Sequence, residues 1–222
     1  MQLDKDKQRW QEFFSCWTQS IEKISKNVKV LPVSKKQSLE KIKKYLEFEY
    51  FPNCLGENFY DELVIKKNAL DKSSLEWHFL GRLQSRKIPL IFQNCDYVHG
   101  VYREKELRII SQLKADKQLA KFFLQVNISK EPSKGGVGVK EVPRFIELIS
   151  SLGLEKNLVG FMAMASQESE LVVRSQFVEM NSLRNNLFPK GLLSMGMSSD
   201  YKIAIEEGAD VVRIGSLIFG DR

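Results

Sequence analysis

Eight short β-rich segments alternating with helix-like stretches predict an α/β protein, a single (β/α)8 barrel of the TIM type preceded by one extra N-terminal helix. Two further observations carry that expectation. The segment KFFLQVNIS (residues 121–129) is a near-continuous apolar run, of the kind buried on both faces in parallel sheets. Polar residues and glycines also gather at the C-terminal ends of the segments, where the ligand-binding mouth of such a barrel lies. A chain of 222 residues is compact for this fold, and a doubly wound open sheet is the alternative. No GxGxxG follows the first strand, which lowers the dinucleotide-binding form of that alternative. No linker, repeat or low-complexity stretch divides the chain, so residues 1–222 read as one domain.

The elements follow in order. Trp10, Phe13, Phe14, Trp17, Ile21 and Ile24 recur at steps of three and four, so residues 1–26 read as an amphipathic helix whose aromatic stripe packs on the barrel. The first strand is VKVLPVS (28–34), followed by the helical SLEKIKKYLEF (38–48). A short apolar piece ends in LGEN (55–58), and a helix follows through Tyr60, Leu63 and Val64. LEWHFLG (75–81) and DYVHGVY (96–102) read as strands, with a short helical turn near residues 83–91 between them. A helix from Arg103 carries Leu107, Ile110 and Leu113 on one side. After the fifth strand, residues 139–152 place Val142, Phe145, Ile146 and Ile149 on a helical face, with Pro143 tolerable in the first turn. LVGFMAM (158–164), a helix with Val173, Phe177 and Met180, LLSMGMS (192–198), a short helix to Glu207, and VVRIGSLIFG (211–220) complete the alternation. The last segment is expected to end the chain without a helix of its own.

Composition bounds the function. A hydrophobic fraction of 43% and a charged fraction of 28% describe a folded globular chain. The net charge of +6 permits an anionic ligand but is far from a dedicated nucleic-acid arm. Cys16, Cys54 and Cys95 form no CxxC and no zinc-like spacing, so reduced thiols are expected. The charged start MQLDKDKQRW and the lack of a long apolar run point to a cytoplasmic protein without a membrane span.

Read in order, the C-terminal ends of the strands present Lys35, Glu57 with Asn58, His78 with Gly81, His99, Asn127, Met164, Ser198, and Arg213 with Gly215 and Ser216. Lys35 follows apolar and small residues, so its amine is expected in the mouth, where desolvation or a neighbouring cation makes it a usable nucleophile for an aldehyde. Lys36 should point away and stay a surface charge. Ser198, Gly215 and Ser216 follow strands seven and eight, where barrels of this kind hold a phosphate. Arg213 stands two residues before Gly215 and so faces the same side, where it needs a ring nitrogen, a carboxylate or an internal ion pair as partner. His78 and His99 lack HxH or HExxH spacing, which argues against a metal; satisfied core histidines are the plainer reading. SKGGVG (133–138) lacks the GK[ST] ending of a P-loop and is expected to be a flexible loop.

Six motifs in order, VSK (33–35), GEN (56–58), WHFLGRLQSRK (77–87), SKGG (133–136), SMGMSSD (194–200) and VRIGSLIFGDR (212–222), closely resemble the YggS/PROSC family of pyridoxal 5′-phosphate homeostasis proteins. The resemblance runs from the first strand to the last residue. It implies a barrel like the N-terminal domain of bacterial alanine racemase, and pyridoxal phosphate held covalently on Lys35 as an internal aldimine. It further implies Asn58 near the cofactor ring and its hydroxyl, Ser198, Gly215 and Ser216 at the phosphate, Arg213 at the pyridine nitrogen, and His78 and Met197 lining the pocket. Arg82, Arg86, Gly100 and Tyr102 depart from the family pattern, and Ser216 replaces a common threonine while keeping the hydroxyl. The function implied is a non-catalytic monomeric carrier of pyridoxal phosphate and related B6 vitamers that passes the cofactor to apo-enzymes. The alternative is a pyridoxal-phosphate-dependent amino-acid racemase or lyase, for which Tyr60, Tyr97, Tyr102 and Tyr201 are the candidate proton donors. A nucleic-acid-binding protein is a third reading, disfavoured by the scattered lysines.

Overall fold

The computed structural model describes residues 2–22, 24, 27–48, 52–70, 74–113 and 119–220. Eight parallel strands alternate with helices, as the sequence predicts: β1 (Lys29–Pro32), β2 (Cys54–Glu57), β3 (Glu76–Phe79), β4 (Tyr97–Val101), β5 (Lys121–Val126), β6 (Leu158–Ala163), β7 (Leu192–Ser194) and β8 (Val211–Ile214). They pair in the order β1-β8-β7-β6-β5-β4-β3-β2. A parallel bridge between Val33 and Gly56 joins the two ends, with the Ser34 N–H donating to the Gly56 carbonyl at 2.9 Å. The sheet therefore closes, and the open-sheet alternative falls.

Each strand is apolar on both sides because each side is buried. Alternate residues such as Val30, Leu55, Trp77, Val98, Phe122, Phe161 and Val212 pack outward against the helices. Their neighbours Leu31, Cys54, Phe123, Met162 and Val211 fill the barrel interior. Every strand ends earlier than its β-rich segment, and the remaining residues form the loops of the mouth.

The N-terminal helix α1 (Gln2–Glu22) buries Trp10, Phe13, Phe14 and Trp17, so its aromatic stripe is core. Residues 23, 25 and 26, the expected end of that helix, lie outside the described residues. Between strands run α2 (Leu39–Leu46), α3 (Tyr60–Leu70), α4 (Ile88–Asn94), α5 (Glu104–Ser111), α6 (Val142–Ser151), α7 (Glu170–Leu187) and α8 (Tyr201–Glu206). Pro89 and Pro143 occupy the first turns of α4 and α6, where a missing N–H costs no hydrogen bond.

One element departs from expectation. The chain does not end on a strand: Gly215 turns it into a short helix, α9 (Ser216–Phe219). Tertiary contacts hold that turn. The Trp10 indole N–H donates to the Ile218 carbonyl at 2.8 Å, and the Lys41 ammonium donates to the Phe219 carbonyl. The extra helix thus braces the end of the chain that carries Ser216. Asp221 and Arg222, the end of the sixth motif, lie outside the described residues.

Candidate functional site

The mouth of the barrel opens into a cavity of about 940 Å3. Seven of the eight residues expected at the site line it: Lys35, Asn58, Met197, Ser198, Arg213, Gly215 and Ser216. Four cationic side chains, Lys35, Arg82, Lys134 and Arg213, face this space, and no carboxylate does among the described residues. Such a wall favours an anionic ligand.

Lys35 is half-buried at the end of the first β-rich segment, and its position is set from below. The Ser34 hydroxyl donates to Glu57 Oε1 at 2.6 Å, and the Lys66 ammonium donates to the Ser34 carbonyl at 2.8 Å, to Glu57 Oε1 at 2.7 Å and to Glu62 Oε2 at 3.0 Å. Burial pushes the Glu57 carboxyl up, against the pull of Lys66 and Ser34. Lys36 then takes a left-handed conformation (φ 59°), with its N–H donated to Glu62 Oε2. Its ammonium is exposed and lies 5.9 Å from the Phe59 ring centre, outside the cavity lining, as expected of the surface neighbour.

Gly81 lets two strand ends approach. A Cβ there would stand 1.9 Å from the Asn58 carbonyl oxygen, so only glycine permits Asn58 its place in the wall. The side-chain Oδ1 of Asn58 is buried and has no protein partner.

Arg213 enters from β8 and is buried. Its Nη1 donates to the carbonyl and to Oγ of Ser194, at 2.7 and 2.9 Å, and its Nη2 donates to the Ala163 carbonyl at 2.9 Å. Burial lowers its pKa to about 10, partly opposed by Asp200, so it stays charged at neutral pH. On the neighbouring wall Ser198 Oγ accepts from the Gly215 N–H at 3.3 Å, and Asp200 accepts from the Met197 N–H at 2.6 Å.

His78 stands apart from the other seven. It lies inside the barrel and not in the cavity wall, bonded through Nδ1 to His99 Nε2 at 2.9 Å and through Nε2 to Glu76 at 2.6 Å. Its place near the end of β3 suggested the mouth, but position along a strand carries no information on depth. Both rings are buried and neutral, because burial pushes their pKa values down, that of His99 well down; Glu76 partly opposes the shift on His78. The same Glu76 oxygen, Oε1, also pairs with the Lys29 ammonium. Cys54, Glu76 and His78 offer ligand atoms within 4.8 Å of one another, but the Lys29 ammonium already sits on that carboxylate.

These rings make stability fall in acid. An unfolded histidine takes a proton near pH 6.5, whereas the folded rings resist one, so the unfolded chain binds more protons as pH drops below that value. Each ring then costs up to about 1.4 kcal/mol per pH unit. Glu76, which the His78 hydrogen bond and Lys29 hold at about 2 in spite of burial, does not contribute between pH 7 and 5. Glu57 and Asp200, raised by burial, act in the opposite sense and are common to both proteins in the comparison. Thermal unfolding at pH 7 and 5 is expected to show a smaller acid loss in His99→Gln than in the unchanged chain.

The strap over the mouth was not legible in the sequence. Residues 133–138 are pinned rather than free: Gln125 Nε2 donates to the Gly135 carbonyl at 2.6 Å, Val137 exchanges backbone hydrogen bonds with Gln125 and Asn127, and the Lys134 ammonium donates to the Ala165 carbonyl at 2.7 Å. Of the four candidate tyrosines only Tyr102 lines the cavity. Tyr60 accepts from Asn94 Nδ2, Tyr97 stacks on His78, and Tyr201 packs against Phe13 and Trp17. Arg82 and Tyr102 are therefore part of the wall, whereas Arg86 and Gly100 are not.

The sequence matches the family described as "Alanine racemase, N-terminal domain" over residues 17–222. It is 36% identical over 208 residues to the pyridoxal phosphate homeostasis protein of Vibrio cholerae serotype O1, covering 88% of this chain and 86% of the relative. The solved structure of PipY from Synechococcus elongatus with PLP bound superposes with a TM-score of 0.74 at 27% identity, covering 97% of this chain and all of the other. An alanine racemase from Clostridium difficile shares the fold at a TM-score of 0.69 and 16% identity; the match spans 93% of this chain but only 56% of the racemase.

Proposed function

The chain belongs to the pyridoxal phosphate homeostasis proteins, a family built on the alanine racemase N-terminal domain, and from that premise we propose that it holds pyridoxal phosphate covalently through Lys35 and carries it without turning over amino acids. The observation that carries this reading is the mouth cavity lined by four cations and no carboxylate among the described residues, with Lys35 beside Asn58 and Arg213. The residues fit the group. The cation-lined wall suits a phosphate dianion, the Asn58 amide has a buried oxygen without a protein partner, and a lysine amine stands in the same space.

In this reading Ser198, Gly215 and Ser216 hold the phosphate, with Arg82 adding positive field, whereas the Lys134 charge is already met by Glu131 at 2.8 Å. Asn58 meets the ring hydroxyl and Met197 packs in the pocket. Arg213 faces the ring nitrogen. His78 acts only at a distance, from below the cavity. Bound pyridoxal phosphate supplies an electrophilic aldehyde and a ring that accepts electrons when its nitrogen is protonated. Arg213 is charged and held by three protein acceptors, so it opposes a proton on that nitrogen by like-charge repulsion. That weakens the ring as an electron sink, which suits a carrier. The strap and Tyr102 form part of the wall of the mouth.

The wider assignment is a cytoplasmic monomer that releases pyridoxal phosphate and related vitamers to apo-enzymes. Three unpaired cysteines, Cys54 and Cys95 with thiols pushed up to about 12 by burial, suit a reducing compartment. No helix among the described residues is long and apolar enough to cross a membrane. Exposed apolar side chains such as Ile65, Leu90 and Leu171 are spread over α3, α4 and α7, which supports the monomer.

Tyr102 in the wall is the one observation that favours a racemase or lyase instead. Incubating the loaded protein with L-alanine and L-serine in D2O separates the two readings. No α-proton exchange beyond that of free pyridoxal phosphate is expected. Exchange that disappears in Lys35→Ala would identify an enzyme.

A further inference from the structure

The histidines that the cavity does not use belong to a longer arrangement. From the N-terminal end of the barrel inward, Glu76 bonds His78, His78 bonds His99, and His99 Nδ1 bonds Ser194 Oγ at 2.9 Å; Ser194 Oγ in turn accepts from Arg213 Nη1. The chain runs through the barrel interior from the first residue of β3 to the floor of the mouth cavity.

The position of every proton in it follows from the two ends. A carboxylate only accepts, so neutral His78 must donate from Nε2 and accept at Nδ1. His99 must then donate from Nε2 and accept at Nδ1, which requires the proton of the Ser194 hydroxyl. A guanidinium only donates, so Arg213 needs the Ser194 oxygen as acceptor, as the first requirement leaves it. Both ends demand the same direction. Apolar and aromatic walls keep other partners away: Tyr97 stacks on His78 with ring centres 4.7 Å apart, and Phe123 lies 4.4 Å from His99. Glu76 is itself held ionised by its pair with Lys29.

We propose that His99 and His78 are positioning residues for Arg213, forming with Ser194 a one-way hydrogen-bond chain that anchors the guanidinium at the cavity floor to the Glu76 carboxylate at the opposite end of the barrel. The inference rests on the reading that Arg213 faces the cofactor ring nitrogen. It assigns the ring nitrogen's partner a fixed direction and a fixed charge, and it makes Glu76 and Lys29, which do not line the cavity, part of its electrostatics.

Two measurements test it. The chain has two histidines in all, so long-range 1H–15N correlation spectra of the cofactor-free protein resolve both rings, and both are expected as neutral Nε2–H tautomers at pH 7. A ring in the Nδ1–H form, or a charged one, overturns the proposal whatever the cofactor does. The second measurement is the visible band and release rate of bound pyridoxal phosphate in Arg213→Gln, His99→Leu and Glu76→Gln. The expected result is a band displaced in the same direction in all three, and release about tenfold faster in His99→Leu, the usual consequence of leaving a buried polar partner unsatisfied. A purely structural role would lower the unfolding midpoint and leave the band in place. If Arg213→Gln moves the band and the other two do not, the chain has no function while the ring-nitrogen reading stands. If none moves it, both readings fall. Should His99→Leu not fold, the tautomers of the unchanged protein and the Glu76→Gln spectrum decide.

Discussion

Replacing Lys35 with alanine is expected to abolish the borohydride-stable attachment of pyridoxal phosphate and the visible band that accompanies it. Unchanged protein, loaded and reduced, should carry the label on the peptide containing Lys35, read by mass spectrometry. The neighbouring Lys36→Ala should label like the parent, because its exposed ammonium lies outside the cavity lining. Residual binding through phosphate and ring contacts should persist in Lys35→Ala, weakened on the order of tenfold to a hundredfold, as for the loss of one strong polar anchor. Thermal stability should change by less than about 1 kcal/mol, since the half-buried side chain fills no packed core. A label that stays in place in Lys35→Ala, or moves to Lys134, would overturn the assignment of the amine.

Lys66→Ala should be the most destabilising single change near the site, costing about 3–5 kcal/mol in urea unfolding. Lys66 and Glu57 are both buried, with side-chain exposures of 5% and 0%, and the ammonium gives its three donors to Ser34, Glu57 and Glu62. Removing it strands a carboxylate whose second oxygen already has no partner. Lys66→Met keeps the packing and should cost nearly as much, which separates charge from volume. Adding Glu57→Gln to Lys66→Met should recover a large part of the loss, because the uncompensated charge is then gone. The effect reaches the site, since the lost ammonium also holds the carbonyl of Ser34, the residue before Lys35. Loading with pyridoxal phosphate should therefore slow in Lys66→Met even where the fold survives.

Much of this molecule was legible in one dimension. Strands and helices alternate with periods of two and 3.6 residues, and each period is a local property of the backbone. The parity argument that set Arg213 and Gly215 on one side needed only the strand between them, and both line the mouth. Lys35 was singled out because it follows a buried run, which is also local. Other features were not local. His78 and Arg213 both point inward, yet only Arg213 reaches the cavity, because height inside a barrel is set by the stagger of strands around it. The α9 turn depends on Trp10 and Lys41, far away in sequence. The strap became ordered through Gln125 and Ala165, which its own glycines could not announce.

The amino-acid sequence by itself determined the eightfold alternation, the shared side of Arg213 and Gly215 and the identity of the lysine at the mouth, because these follow from short-range periodicity and residue chemistry. Only the tertiary structure decided depth, the ordered strap and the hydrogen-bond chain from Glu76 to Arg213. Those depend on distances between β3, β4, β7 and β8, which exist once the barrel has closed and its register is set.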